Sequence, residues 1–211
     1  ATIRGTASPI GSRITSAADD AAGLAISQKL SSDIRGADAA RRNSENAISF
    51  IQVGEGGLNE VNNILVRLKE LGVQSASDTL GDEERSFVDM EAQQLISEVD
   101  RIAHTTRFGQ TNLLNGDSTE LEFQVGVNSD KWNSITFKSD SDATTSSLGI
   151  SGLELDSKSG AKDALDAVDD ALMKVGGMRA NFGALQNRLD STIRNLDVQR
   201  EGLSAANSRI K

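Results

Sequence analysis

Apolar residues recur at intervals of three and four along residues 58–74, LNEVNNILVRLKELGVQ. Leu58, Val61, Leu65 and Leu68 fall on one stripe of an α-helix, with the spacing of a coiled-coil seam. Ile64 and Leu71 widen the stripe, while Glu60, Asn62, Asn63, Arg67, Lys69, Glu70 and Gln74 take the other faces. A helix patterned this way cannot cover its stripe alone and requires partner helices. The surrounding stretch from residue 17 to about residue 77 contains no proline, and its first half is rich in alanine, the best helix former. Ser16 and Asp19 have the spacing of a capping box at its start, and Asp19 and Asp20 suit the positive end of the helix dipole. Gly54, Gly56 and Gly57 each cost about 1 kcal/mol relative to alanine and mark a bend or a tight crossing. A kinked continuous helix and a broken one are both compatible with them. If continuous, the helix is a rod of roughly 90 Å, at ~1.5 Å per residue.

Residues 77–82 (SDTLGD) read as a turn, with Gly81 as breaker and Asp82 as N-cap of a second helix that runs to about His104. Its expected stripe is Val88, Ala92, Leu95, Val99 and Ile102. So short a turn predicts an antiparallel helix pair. Beyond it the period changes to two: Leu121, Phe123, Val125 and Val127 alternate with polar residues and Gly126, which predicts a half-buried strand. Asn128, Ser129 and Asp130 form the turn, and residues 132–138 the returning strand, with Ile135 and Phe137 on one face. Residues 139–160 read mostly as loop around Leu148, Ile150, Leu153 and Leu155. A last helix is expected from about residue 159 to 209. Its stripe passes through Leu165, Val168, Leu172 and Val175, then Met178, Phe182, Leu185, Leu189, Ile193, Leu196 and Leu203, with a shift of register near Gly176 and Gly177. The fold class is therefore mainly α: an elongated antiparallel bundle of long helices with a small β-hairpin region. Residues 1–12 read as a disordered lead-in or expression remnant, 13–106 as the first two helices, 107–158 as hairpin and loops, and 159–211 as the closing helix of one domain.

Composition supports thin, closely packed helices. Aromatic residues make up 3% of the 211-residue chain, with no tyrosine and one tryptophan, where a wide globular core leans on aromatic side chains. The net charge of −9 would repel a phosphate backbone, so nucleic acid is not an expected partner. No apolar run reaches the ~18–20 residues needed to span a bilayer, and no membrane partner is expected. No cleavable leader is visible, so a secreted chain of this kind requires another export route. The absence of cysteine removes disulfides, thiolate catalysis and cysteine-ligated zinc.

Candidate chemistry is sparse. His104, the one histidine, stands where a helix C-terminus favours it and has no second histidine or cysteine to share a metal. Gly54-Glu55-Gly56-Gly57 lacks the Lys-Ser/Thr of a phosphate loop. Asp140 and Asp142 match only part of a calcium loop, and Asp169-Asp170 reads as helix surface. No nucleophile, base and orienting group can be named together, so no catalytic residue, metal or cofactor is assigned and an enzyme is not expected.

Several longer stretches carry a resemblance. Residues 12–27 (SRITSAADDAAGLAIS) with residues 56–74 resemble the N-terminal conserved region of bacterial flagellin, continued by residues 97–101 (SEVDR) and 111–116 (TNLLNG). Residues 182–189 (FGALQNRL) and 205–210 (AANSRI) resemble its C-terminal conserved region. The resemblance implies a structural subunit exported unfolded through the flagellar secretion channel and polymerised into the filament for motility. Its implied partners are other flagellin subunits, an export chaperone and cap proteins. Its location is the flagellum outside the cell, without deciding between an external and a periplasmic filament. Flagellins also carry further terminal helices that form the inner tube. Their counterparts are not seen in this sequence, so a truncated, monomeric core with little or no outer domain is expected.

The same resemblance implies a second role, as ligand of the flagellin-sensing Toll-like receptor of vertebrates. By position, Arg67, Leu71, Gln74, Glu91 and Gln94 match the receptor-binding residues, with Arg67 beside an exposed Leu71 as the expected hot spot. Arg67 can also serve a contact between subunits. Val66 and Lys69 stand where strongly stimulatory flagellins have Gln and Arg, and Phe108-Gly109-Gln110 where the family often has Phe-Asn-Gly. A hook–filament junction protein, a relative with similar ends, is the alternative reading.

Overall fold

The computed structural model describes residues 20–117 and 119–211. Residues 1–12, the expected lead-in, and the Ser16–Asp19 capping box lie outside the described residues. In chain order the elements are α1 (Ala21–Ser75), α2 (Asp82–Thr105), β1 (Arg107–Phe108), β2 (Thr111–Asn112), β3 (Thr119–Gln124), β4 (Ser134–Ser139), α3 (Thr145–Leu148) and α4 (Lys158–Ile210). β1 pairs antiparallel with β2, and β3 pairs with β4, each as a two-stranded sheet. The mainly α class with long helices and a small sheet region is what the structure has.

The chain forms two compact units. Among the described residues, one comprises 20–45, Phe123–Ile135 and Asp190–Lys211; the other comprises Asn46–Glu122 and Thr136–Leu189. In the first, α1 and α4 meet antiparallel over small and polar residues. Ala37, Ala40 and Leu196 form the buried cluster. Ser27 Oγ donates to Asn207 Oδ1 at 2.7 Å, and Asn207 Nδ2 donates to Ser31 Oγ at 3.2 Å. Arg41 pairs with Asp197 at 3.2 Å and Arg200 with Asp38 at 3.5 Å. Asp20 caps α1, its Oδ1 accepting from the Gly23 amide at 2.9 Å.

The second unit holds the larger core. From α1 it takes Ile51, Leu58, Val61, Leu65, Leu68 and Leu71, all fully buried. α1 is one unbroken helix through Gly54, Gly56 and Gly57. Gly54 is buried and sits in the same three-four seam, where the Phe182 ring occupies the space a side chain would need. Gly54 and Gly57, the latter against Thr106 and Leu114, therefore mark close approaches rather than a break, while Gly56 is exposed with open space beside it. In α2 the buried apolar positions are Val88, Ala92, Ile96, Val99 and Ala103, which corrects the expected Leu95 and Ile102: both are only half-buried.

α4 shows the same substitution of small for large. Its buried seam is Ala161, Ala164, Val168, Ala171, Val175, Phe182, Leu185 and Leu189, an unbroken three-four alternation in which half-buried Met178 keeps the step. The expected register shift at Gly176 is absent. Leu165 and Leu172 had suggested it, but they flank the seam while the neighbouring alanines fill it.

Four local expectations also change. The N-cap of α2 is Gly81 rather than Asp82. Asp82 is the first helical residue and joins Glu83 and Glu84 in an acidic first turn that suits the helix dipole. Trp132 lies in a 3-10 turn, Lys131–Asn133, not in the returning strand. The Asp130 carboxylate makes that turn by accepting from the Trp132 amide at 2.9 Å and from Asn133 Nδ2 at 2.8 Å. Val127 lies past the end of β3 and is exposed. Finally, the 139–160 stretch is an ordered lining rather than plain loop: Leu148, Ile150 and Leu155 are fully buried. Asp100 of α2 anchors α3 by accepting from the Thr145 amide at 2.8 Å and from its hydroxyl at 2.9 Å.

Candidate functional site

The α1 seam decides which residues face water near the middle of the second unit. Leu65, Leu68 and Gly72 turn inward, so Val66, Arg67, Glu70, Val73 and Gln74 turn outward. On α2, Val88, Ala92 and Ile96 turn inward, leaving Phe87, Met90, Glu91 and Gln94 outward.

Arg67 joins the two helices across this face. Its Nε donates to Glu91 Oε1 at 2.9 Å and its Nη2 to Glu91 Oε2 at 3.4 Å, a fork on one carboxylate. Its Nη1 donates to Glu70 Oε2 at 2.9 Å, one helical turn on. All three side chains are solvent-exposed. The Glu91 and then the Glu70 hydrogen bonds hold the guanidinium still more firmly in its charged form. One cation against two carboxylates leaves the cluster with a charge of −1, so Arg67 presents an oriented planar donor rather than a bare positive charge.

Of the residues expected at a receptor contact, Arg67, Gln74, Glu91 and Gln94 are exposed on this face. Leu71 is not. At 1% exposure it belongs to the core, because it follows Leu68 by three residues and shares its inward side. The expected pairing of Arg67 with an exposed leucine is corrected on that ground. The apolar part of the face comes from other residues: Val66, Val73, Phe87 and Met90 are all exposed, Phe87 at 61%. Phe87 and Met90 were legible as large apolar side chains standing off the α2 stripe, a signal that the periodicity reading passed over.

Elsewhere the ionic groups hold the fold. Lys69 pairs with Asp169 of α4, so the Asp169-Asp170 step is not merely solvated. The His104 ring Nδ1 lies 2.8 Å from the Asp100 carbonyl at the end of α2. Asp142 Oδ1 accepts from the Thr144 amide and hydroxyl. Among the described residues no three acidic or histidine side chains converge to hold a metal ion, and no helix is long and apolar enough to cross a membrane.

Comparison with known proteins places this scaffold. Residues 9–119 match the bacterial flagellin N-terminal helical region, and residues 165–211 match the bacterial flagellin C-terminal helical region. A flagellin of Halalkalibacterium halodurans is 43% identical over 202 residues, covering 95% of this chain and 74% of that protein. The flagellar filament 33 kDa core protein of Treponema phagedenis is 38% identical over 217 residues, covering 95% and 75% respectively. The crystal structure of Bacillus cereus flagellin superposes with a TM-score of 0.65 at 31% identity, over 74% of this chain and 88% of that one. With both helical regions matched in order and the long-helix fold shared, the chain belongs to the bacterial flagellin family.

Proposed function

We propose that the chain is a structural subunit of a bacterial flagellar filament, and that the face around Arg67 is also bound by the flagellin-sensing Toll-like receptor of vertebrates. Family membership and the relative named as a filament core protein support the first role. Other copies of the chain are then its main partners, joined by repeated contacts that do not close. An export chaperone and a cap protein serve its passage and its assembly at the flagellum, outside the cytoplasm. Such a subunit works through its surfaces and requires no turnover chemistry.

The observation that supports the receptor role is the forked Arg67–Glu91 pair with Glu70 behind it. The guanidinium is held in place before any partner arrives, which lowers the ordering cost of a contact. Val66, Phe87 and Met90 give it an apolar surround. Leu71 supports that face from beneath.

Two measurements test these roles. Peptide mapping of filaments sheared from the source cells should recover this sequence, and its absence would reject the subunit assignment. Arg67→Ala should weaken binding to the receptor ectodomain about tenfold or more, as for an interface hot spot, with helix content unchanged. Unaltered affinity rejects the receptor role.

A further inference from the structure

We infer that Met90 is an oxidation site, at which a peroxide reversibly switches off recognition through the Arg67–Glu91 face. The inference rests on the receptor-binding reading above. The chain has no cysteine and three methionines, so thioethers are the groups that meet a mild oxidant first. Met90 is 62% exposed and Met173 78%, while Met178 is half-buried. Met90 immediately precedes Glu91 and stands one turn from both Phe87 and Gln94, on the outward stripe of α2.

A partner that covers the Arg67–Glu91 pair also covers Met90. A standard interface takes about 800 Å² from each side, far more than the pair itself offers. Met173 is placed differently. It follows Asp169 by one turn of α4, and Asp169 pairs with Lys69. Lys69 lies two residues beyond Arg67, roughly 200° around α1 at 3.6 residues per turn.

The step is a two-electron oxidation. The Met90 sulfur attacks one oxygen of hydrogen peroxide, an S–O bond forms and the O–O bond breaks. Sulfur is oxidised, peroxide is reduced, and the departing hydroxide takes the proton of the transferred oxygen and leaves as water. The product sulfoxide is polar where the thioether was apolar, and burying it unpaired against a partner is unfavourable. Methionine sulfoxide reductases, with a thiol as reductant, return the thioether.

The test compares the chain before and after treatment with hydrogen peroxide, with the oxidised positions mapped by mass spectrometry. Met173→Leu combined with Met178→Leu leaves Met90 as the sole thioether, and Met–Leu exchange is well tolerated in packing. In that double variant, oxidation should weaken receptor-ectodomain binding by about fivefold or more, and sulfoxide reductase should restore it. Met90→Leu, compared with its own untreated sample, should show no change on oxidation. Sulfoxide mapped at Met90 with affinity unchanged overturns the inference, as does an equal loss in Met90→Leu. Arg67→Ala, measured alongside, separates the two levels. If it loses binding while oxidised Met90 does not, only the oxidation site falls; if it keeps binding, the receptor reading falls and the switch with it.

Discussion

Arg85 of α2 closes the end of α1: its Nε donates to the Ser75 carbonyl at 2.9 Å, and its Nη2 donates to the Ser77 carbonyl at 2.9 Å. A helix ends with carbonyls that have no intrahelical partner. Here a side chain from the next helix supplies the donors, and Asp82 accepts from Nη1 at 3.2 Å. The arrangement fixes the α1–α2 turn, and Arg85 itself is buried, at 8% exposure, while its Asp82 partner stays exposed.

Arg85→Ala should therefore destabilise the chain by roughly 2–3 kcal/mol, because charge-assisted hydrogen bonds are lost and the Ser75 carbonyl is left buried. Arg85→Lys should recover only part of this, since an ammonium cannot reach both carbonyls with a planar fork. Denaturant unfolding of the two variants checks the order. Equal stability of wild type and Arg85→Ala would show that water caps the helix as well as the guanidinium does.

The helix glycines divide by environment, and substitutions should move stability in opposite directions. At Gly54 an added Cβ would lie 2.9 Å from Phe182 Cζ. That ring has little room to yield, being packed against Phe137 at a centroid distance of 5.4 Å. Gly54→Ala gains about 1 kcal/mol of helix propensity, but overpacking costs about 1–3 kcal/mol, so a net loss is expected. At Gly176 and Gly177 nothing lies within 4 Å of the added Cβ. Alanine there should raise stability by about 1 kcal/mol each. Thermal unfolding of the three single variants reads the signs directly.

Those glycines also show what could be read from the sequence. The seam of α1 around Leu58, Val61, Leu65 and Leu68 was legible because each inner position carries a large apolar side chain. In α4 the inner positions at Ala164 and Ala171 carry small ones, and the adjacent Leu165 and Leu172 drew the pattern off by one. Hydropathy ranks leucine above alanine, whereas a close helix crossing prefers the reverse. The site followed the same logic. The Arg67–Glu70 pair is implied by helical spacing, but Glu91 is reached only through the tertiary fold. Leu71 stands at the expected contact only through the flagellin resemblance; the helical stripe already turns it inward, three residues from Leu68, and it is buried.

Asp78, in the α1–α2 turn, should titrate below the ordinary carboxylate range. The Lys158 ammonium donates to it at 2.9 Å, and that hydrogen bond, followed by the charge of Lys158, lowers its pKa. A depressed folded-state value means that the interaction is fully present above the unfolded carboxylate pKa of about 3.9 and fades as pH falls through the lower folded value. The tie between this turn and the first residue of α4 should accordingly loosen only in acid. NMR titration of the Asp78 carboxyl gives the midpoint, and Lys158→Ala should return it toward the ordinary value. A midpoint unaffected by that substitution would remove Lys158 as the cause.

Arg67 and Leu71 are four residues apart, and their substitutions should separate surface from support. Leu71→Ala deletes a fully buried side chain and should cost about 2–5 kcal/mol of stability through lost burial and the cavity left behind. Arg67→Ala removes exposed ion pairs to Glu91 and Glu70, which contribute little when solvated, so its unfolding midpoint should stay close to wild type. Receptor binding should reverse the ranking at low temperature, where both variants are folded: a large loss for Arg67→Ala and a smaller one for Leu71→Ala. Unfolding curves paired with affinities measured well below each midpoint make the comparison. If Leu71→Ala, confirmed folded, lost as much binding as Arg67→Ala, the leucine would have to be reached by the partner through a rearrangement of α1. If Arg67→Ala proved the less stable of the two, the ion-pair cluster would be holding α1 to α2 rather than presenting a surface.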